Sequence, residues 1–142
     1  MGRKIRLVAV GKVKEPYLRE GMAEYEKRLR PFCMLEILEL NDEGMEKESK
    51  RLEEQIGNNT FLLDENGAEM DSLQFAKLFT RDPGAPLTFL IGGPYGTSAE
   101  LKKKCKCISL SKMTFTHEMC RLFLLEQIYR AHQISQNRPY HK

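Results

Sequence analysis

"PLTFLIGGPYGTSAE", residues 86–100, decides the fold. Its first half is a short apolar run, the pattern of a strand buried on both faces. Gly92, Gly93 and Gly96 then surround Pro94, which is the composition of a tight turn. Thr97, followed three residues later by Glu100, has capping-box spacing, so a helix is expected to start there. Strand, glycine turn and helix in direct succession are half of a β-α-β crossover, and such units build parallel sheets.

The same alternation continues outward in both directions. Upstream, "KIRLVAVG" (residues 4–11) is a β-rich run ending in glycine. Pro16 follows at a position suited to a first helical turn. Tyr17, Leu18, Met22, Tyr25 and Leu29 then recur at helical spacing until Pro31. "MLEILEL" (34–40) alternates apolar and acidic residues, as a half-exposed strand does. "EGMEKESKRLEEQIG" (43–57) reads as a charged helix stopped by Gly57. "TFLLD" (60–64) reads as a short buried strand closed by a turn at Glu65-Asn66-Gly67, and Asp71 or Ser72 can cap the next helix. Downstream, "CISL" (107–110) is a fifth strand, and a last helix runs from about Thr116 to Gln136. The expected architecture is one α/β domain, residues 1–142, with a mainly parallel sheet.

The last helix carries a further implication. Met119, Leu122, Phe123, Leu124, Leu125, Ile128, Tyr129, Ala131 and Ile134 cover more than one face. A helix that is apolar nearly all round is buried on both sides. One small sheet has little to cover both, so a two-fold subunit interface is favoured over a central core helix.

Composition excludes several classes. The chain has 142 residues, 41% hydrophobic and 30% charged, as in ordinary globular domains. No run approaches a membrane span, and the start lacks the apolar core of a signal peptide, so a cytoplasmic protein is expected. Cys33, Cys105, Cys107 and Cys120 have neither disulfide-scaffold nor metal spacing, and read as reduced thiols. Net charge is +3 but uneven: residues 97–142 carry nine bases against three acids. That excess suits a polyanion, and a solvated lysine face on one helix accounts for Lys102 to Lys106 equally well.

In open parallel sheets ligands sit beyond the carboxyl ends of the strands. Three such ends are visible, "LLDENG", "LIGGPYGTSAE" and "LSKMTF". Gly92 and Gly93 remove side chains where a ligand can approach backbone, although a plain strand-to-helix turn needs glycines too. No Gly-Lys-Ser/Thr follows, and the glycine spacing is not GxGxxG, so neither phosphate fingerprint is present. "LSKMTFTHEM" (110–119) lacks the second histidine of HExxH, and Ser111 lacks a GxSxG context. What remains is a loop rich in backbone donors and acceptors with two apolar side chains, Met113 and Phe115. That combination suits a neutral heteroaromatic ring. The terminal "NRPYHK" offers a guanidinium at Arg138, an aromatic face at Tyr140, an imidazole at His141 and a cation at Lys142. These are nucleic-acid-binding groups, in a segment that on composition alone is more often a loose end.

Taken together, "LVAVGK", "YEKRL", "FLIGGPYG", "SLSKMTFTHEM", "LLEQIYRA" and "PYHK" closely resemble the ribosomal large-subunit methyltransferase H family, SPOUT-class RNA methyltransferases. The likeness runs from residue 4 to residue 142. It implies a five- or six-stranded sheet with a C-terminal trefoil knot, and a homodimer. It implies S-adenosylmethionine as cofactor, and methyl transfer to N3 of a pseudouridine in helix 69 of large-subunit rRNA, on the assembled ribosome. By the family pattern the cofactor pocket falls on Leu63, Gly92, Leu110, Ser111, Lys112, Met113, Thr114 and Phe115, with no metal. Tyr140 and His141 would sit over the partner's pocket, with Arg138 and Lys142 nearby. His141 is then the candidate for assisting loss of the N3 proton. Two other readings stand beside it: a Rossmann-like nucleotide enzyme built on the Gly92 turn, and a non-catalytic RNA- or nucleotide-binding α/β module.

Overall fold

The computed structural model describes residues 2–141. Five strands and five helices alternate: β1 (Lys4–Val10), α1 (Pro16–Leu29), β2 (Met34–Leu40), α2 (Met45–Glu53), β3 (Thr60–Glu69), α3 (Ser72–Lys77), β4 (Leu87–Ile91), α4 (Ala99–Lys104), β5 (Lys106–Ser109) and α5 (His117–Ser135). A 3-10 turn over Leu78–Thr80 extends α3. The strands form one sheet in the order β2-β1-β4-β3-β5, and every pairing is parallel.

The side-chain period of two divides the core. Ile5, Leu7 and Ala9 of β1, with Leu87, Phe89 and Ile91 of β4, face α1, α3 and α5. Val8, Val10, Leu62 and Leu90 turn the other way and pack with Leu52 of α2 and Leu101 of α4. Helices thus cover both faces, which is why β4 is buried along its whole length. β2 is an edge strand and keeps Met34, Glu36, Leu38 and Glu39 exposed. α5 lies between α1 and α3, with Leu124, Leu125, Ile128 and Ala131 buried. Its apolar character is therefore met on two sides within the chain itself.

Three expected boundaries move. β3 does not stop at Asp64. It continues to Glu69 with a register shift, so that Leu63 and Ala68 both lie opposite Ile108 of β5. Residues 64–67 are thereby pushed out beyond the carboxyl end of the sheet. The charged helix ends at Glu53, ahead of Gly57, whose amide instead donates to Thr60 Oγ1. The cap of α4 is Ser98, whose hydroxyl accepts from the Leu101 amide, and not Thr97.

Candidate active site

The turn after β4 comes first. The Gly96 amide donates to the Gly93 carbonyl at 3.0 Å, with Pro94 and Tyr95 at the corners and Gly96 at φ +81°. A Cβ on Gly92 would lie 2.6 Å from Thr97 Cγ2 and 3.3 Å from the Gly96 carbonyl oxygen. A Cβ on Gly93 would lie 3.1 Å from Glu48 Oε1 and from Val10 Cγ1. The glycines thus serve the folding-back of the turn itself, rather than leaving an open approach for a ligand. They bring backbone, not side chain, to the strand tip.

The segment after β5 has the longest journey. β5 is the sheet edge beyond β3, yet α5 begins beneath the tip of β1, two strands past β3. Residues 110–116 therefore cross the carboxyl ends of β3 and β4. The crossing is fixed by local bonds: Ser109 Oγ donates to the Ser111 carbonyl, the Met113 amide donates to Ser111 Oγ, and Thr114 Oγ1 donates to Glu65. Thr116 Oγ1 caps α5 by accepting from the Met119 amide. Among the described residues, no backbone–backbone bond outside helices and strands involves residues 110–115. Apart from the Met113 amide and the Ser111 carbonyl, which side chains of the loop engage, their amides and carbonyls are left for a ligand or water.

These tips enclose a cleft of about 910 Å³. It is lined by Leu63, Gly92, Leu110, Ser111, Met113, Thr114 and Phe115 of the expected set, together with Ile91 and residues 64–66 and 93–97. Phe115 is braced edge-on by Phe123, centroids 4.9 Å apart, while Met113 is 75% exposed at the mouth. Lys112 is not on the wall: its side chain turns outward to Glu69, 3.1 Å away. Glu15, Asp64, Glu65 and Glu118 also line the cleft, against one lysine, Lys102, which lies 3.8 Å from Asp64. Apolar walls with an acidic rim suit a ligand that joins a flat neutral ring to a separate positive charge, and disfavour a polyphosphate.

Beneath the cleft lies a polar network that the sequence reading did not single out. Arg121 of α5 is fully buried. It donates to the carbonyls of Val10 (2.8 Å) and Gly11 (2.6 Å) at the end of β1, and to Glu39 Oε2 of β2 (2.7 Å). Glu118 Oε1 accepts from the amides of Lys14 and Glu15. Burial disfavours the Glu118 carboxylate, but those amides, with His117 and Arg121 nearby, outweigh it and hold the group below its usual range. Glu48 Oε2 takes the amides of Glu43 and Gly44. A lone charge between Met119-Cys120 and the apolar run 122–125 was the available signal for Arg121.

The tail lies elsewhere. Tyr140 Oη donates to Glu126 Oε2 at 2.6 Å and meets Tyr25 Oη at 3.4 Å. His141 Nδ1 is 3.1 Å from Arg130 Nη1, and the Arg138 guanidinium stands 5.5 Å from the centre of the Phe32 ring. All three tail residues rest on α5 or the end of α1, and none lines the cleft of its own chain. Lys142 lies outside the described residues. The basic excess is also partly offset: Lys102, Lys104, Lys112, Arg121 and Arg130 each have an acidic partner. Burial raises all four thiols, Cys33 and Cys105 to about 11, so none is a ready nucleophile. Among the described residues no cluster of His, Cys, Asp or Glu could hold a metal, and no helix is long and apolar enough to cross a membrane.

Comparison with known proteins bears on this geometry. A family model described as "Predicted SPOUT methyltransferase" matches residues 3–141. A protein of Trichlorobacter lovleyi named ribosomal RNA large subunit methyltransferase H is 44% identical, over 97% of this chain and 99% of its own. Proteins of the same name from Pelobacter propionicus and Streptococcus uberis are 42% and 39% identical, over 97% and 98% of this chain and 99% of theirs.

Proposed function

The chain belongs to the ribosomal large-subunit methyltransferase H family of SPOUT methyltransferases, and from that premise we propose that it methylates large-subunit rRNA with S-adenosylmethionine as donor. The observation that carries this reading is the convergence of three strand tips on one cleft with apolar walls and an acidic rim. A sulfonium ligand with an adenine ring matches both features, whereas ATP or NAD would bring phosphates to a carboxylate-lined mouth.

When bound, the donor supplies an electrophilic methyl group, so the protein's task is to bind, orient and stabilise charge. Leu63, Ile91 and Phe115 would clasp the adenine, and the free backbone groups of 110–115 would read its edge. Ser111, whose hydroxyl and carbonyl are both engaged within the loop, holds the loop's shape. We place the tail over the pocket of a second copy, giving a homodimer with composite sites. The separation of tail and cleft within one chain supports this arrangement. In the same reading residues 110–116 thread a trefoil knot, in keeping with their crossing from the sheet edge to β1. The target is N3 of a pseudouridine in helix 69 of the assembled ribosome, in the cytoplasm. Tyr140 and His141 meet the base, while Arg138 and Lys142 hold flanking phosphates.

Calorimetry with S-adenosylmethionine, ATP and NAD tests the cleft. Heat with the first alone is expected, and a preference for either nucleotide would overturn the reading. Methyl incorporation into unmodified ribosomes, compared with free rRNA, tests the substrate. No transfer to either would leave the non-catalytic binding module in its place.

A further inference from the structure

The tail's contacts contain a constraint on its chemistry. An arginine side chain can only donate hydrogen bonds. Since Arg130 Nη1 faces His141 Nδ1 at 3.1 Å, the Nδ1 nitrogen is the acceptor. A neutral imidazole accepting at Nδ1 carries its proton on Nε2. Arg130 is itself held: its Nη2 donates to Glu126 Oε2 at 2.7 Å, and its guanidinium lies 4.9 Å from the centre of the Tyr140 ring. Glu126 Oε2 also takes the Tyr140 hydroxyl, and the Tyr140 ring stands edge-on to Tyr129 at 4.9 Å. Glu126 and Arg130 are one helical turn apart on α5, a rigid support.

We propose that Glu126 and Arg130 are positioning residues that preset the tail, and that His141 acts toward the target base as a hydrogen-bond donor through Nε2–H. This inference rests on the proposed methyl transfer. With Nδ1 occupied by Arg130 and Nε2 protonated, His141 has no lone pair for the N3 proton. N3 of a uracil-type ring lies between two carbonyls, and loss of its proton to solvent water spreads negative charge onto their oxygens until the N3 lone pair takes the methyl group. A donor aimed at one of those oxygens stabilises the charge as it appears, as in an oxyanion hole. Tyr140, whose hydroxyl is committed to Glu126, is left to present its ring to the base.

The tautomer is read directly, on the protein alone, by two-bond proton–nitrogen correlation of 15N-labelled histidines. His141 is expected to show an unprotonated Nδ1 and a protonated Nε2. Arg130→Met should yield a tautomeric mixture, and Arg130→Lys should restore the wild-type pattern. In ribosome methylation, Arg130→Met should lower kcat at least tenfold with the donor KM unchanged. His141→Gln, which keeps an N–H donor but has no basic nitrogen, should retain at least tenfold more activity than His141→Ala. A wild-type Nδ1–H pattern, an unaltered pattern in Arg130→Met, or equal activity of the two His141 variants would each overturn the proposal. If the wild type methylates no RNA, the proposed function fails, while the tautomer measurement still stands or falls by itself.

Discussion

Gly92 shows how a single missing carbon sets the site. An alanine there puts its Cβ 2.6 Å from the Thr97 methyl and 3.3 Å from the Gly96 carbonyl oxygen, so side chain and backbone of the turn must both give. Relieving that clash displaces the 92–97 backbone from the cleft. Gly92→Ala should weaken S-adenosylmethionine binding at least about tenfold, which is about 1.4 kcal/mol, with the far-ultraviolet circular dichroism unchanged. Unaltered affinity by calorimetry would mean that the donor does not touch this turn. Glu118 carries a pH dependence. Its carboxyl sits below the usual range because amides of residues 14 and 15 favour the charged form over the burial that opposes it. Protonation therefore costs the native state more than the unfolded chain. The stabilisation is present above the ordinary carboxylate range and is lost as pH falls through the lowered folded value. Urea unfolding of wild type against Glu118→Gln should show wild type the more stable near neutrality, with the gap closing steadily in acid. A gap that widens in acid would reverse the assignment. Residues of this kind were only partly legible. Glu118 was visible as the second letter of an incomplete HExxH, but its partners are backbone amides of a distant loop, and no side-chain pattern announces those.

Among the elements, α3 and α4 are the two six-residue helices that rest on explicit caps, and α3 has the fuller one. Asp71 Oδ1 accepts from the Gln74 amide while Gln74 Oε1 accepts from the Asp71 amide, closing a full capping box. With Ser72–Lys77 as its whole length, the helix has few internal bonds to fall back on. Asp71→Ala should cost about 1 kcal/mol, seen as a lower urea midpoint, with the methyl-transfer rate unchanged because α3 lies away from the cleft. The elements whose pattern is local were the legible ones. β2 reads correctly from its alternation because an edge strand faces the core on one side only, and α1 from Pro16 and its apolar spacing. Those set by neighbours were not. Thr97 has the spacing of a cap, yet its methyl lies where a Gly92 side chain would be, and Ser98 caps instead. β3 looks finished at Asp64 because residues 64–67 are polar. Only pairing with β5 reveals that the strand resumes at Ala68, with Gly67 so close to β5 that a Cβ would meet the Cys107 carbonyl carbon at 2.6 Å.

At the scale of the whole molecule, cleft and tail were each legible in the sequence, and the structure sets them apart within one chain. The cleft was legible because parallel strands deliver their carboxyl ends to one side, and glycine, serine and threonine gather there. The tail was legible as chemistry, and its expected place over a partner's pocket came from the family resemblance and not from any local pattern. Nothing local in "NRPYHK" says that it lies back on α5, where Glu126, Arg130 and Tyr25 receive it. If each site draws its pocket from one copy and its tail from the other, two chains impaired in different halves must rescue one another when the donor is kept well below the weakened affinity. Gly92→Ala spoils a pocket and leaves its tail intact, whereas His141→Ala spoils a tail and leaves its pocket intact. Neither homodimer then has a complete site. In a mixed dimer, the sound pocket of the second variant meets the sound tail of the first, so one of two sites is restored. Random exchange in an equimolar mixture makes half the dimers mixed, and the expected activity is about a quarter of wild type for a two-fold assembly. The two variants should be mixed through dilute urea and refolded, then assayed for methyl incorporation into ribosomes, with light scattering to fix the mass. Should the tail serve its own chain's pocket, every site in the mixture carries a defect, and the activity stays at the level of the separate variants. A quarter-level recovery that neither variant shows when refolded alone would establish the shared site and place Tyr140 and His141 opposite the partner's cleft.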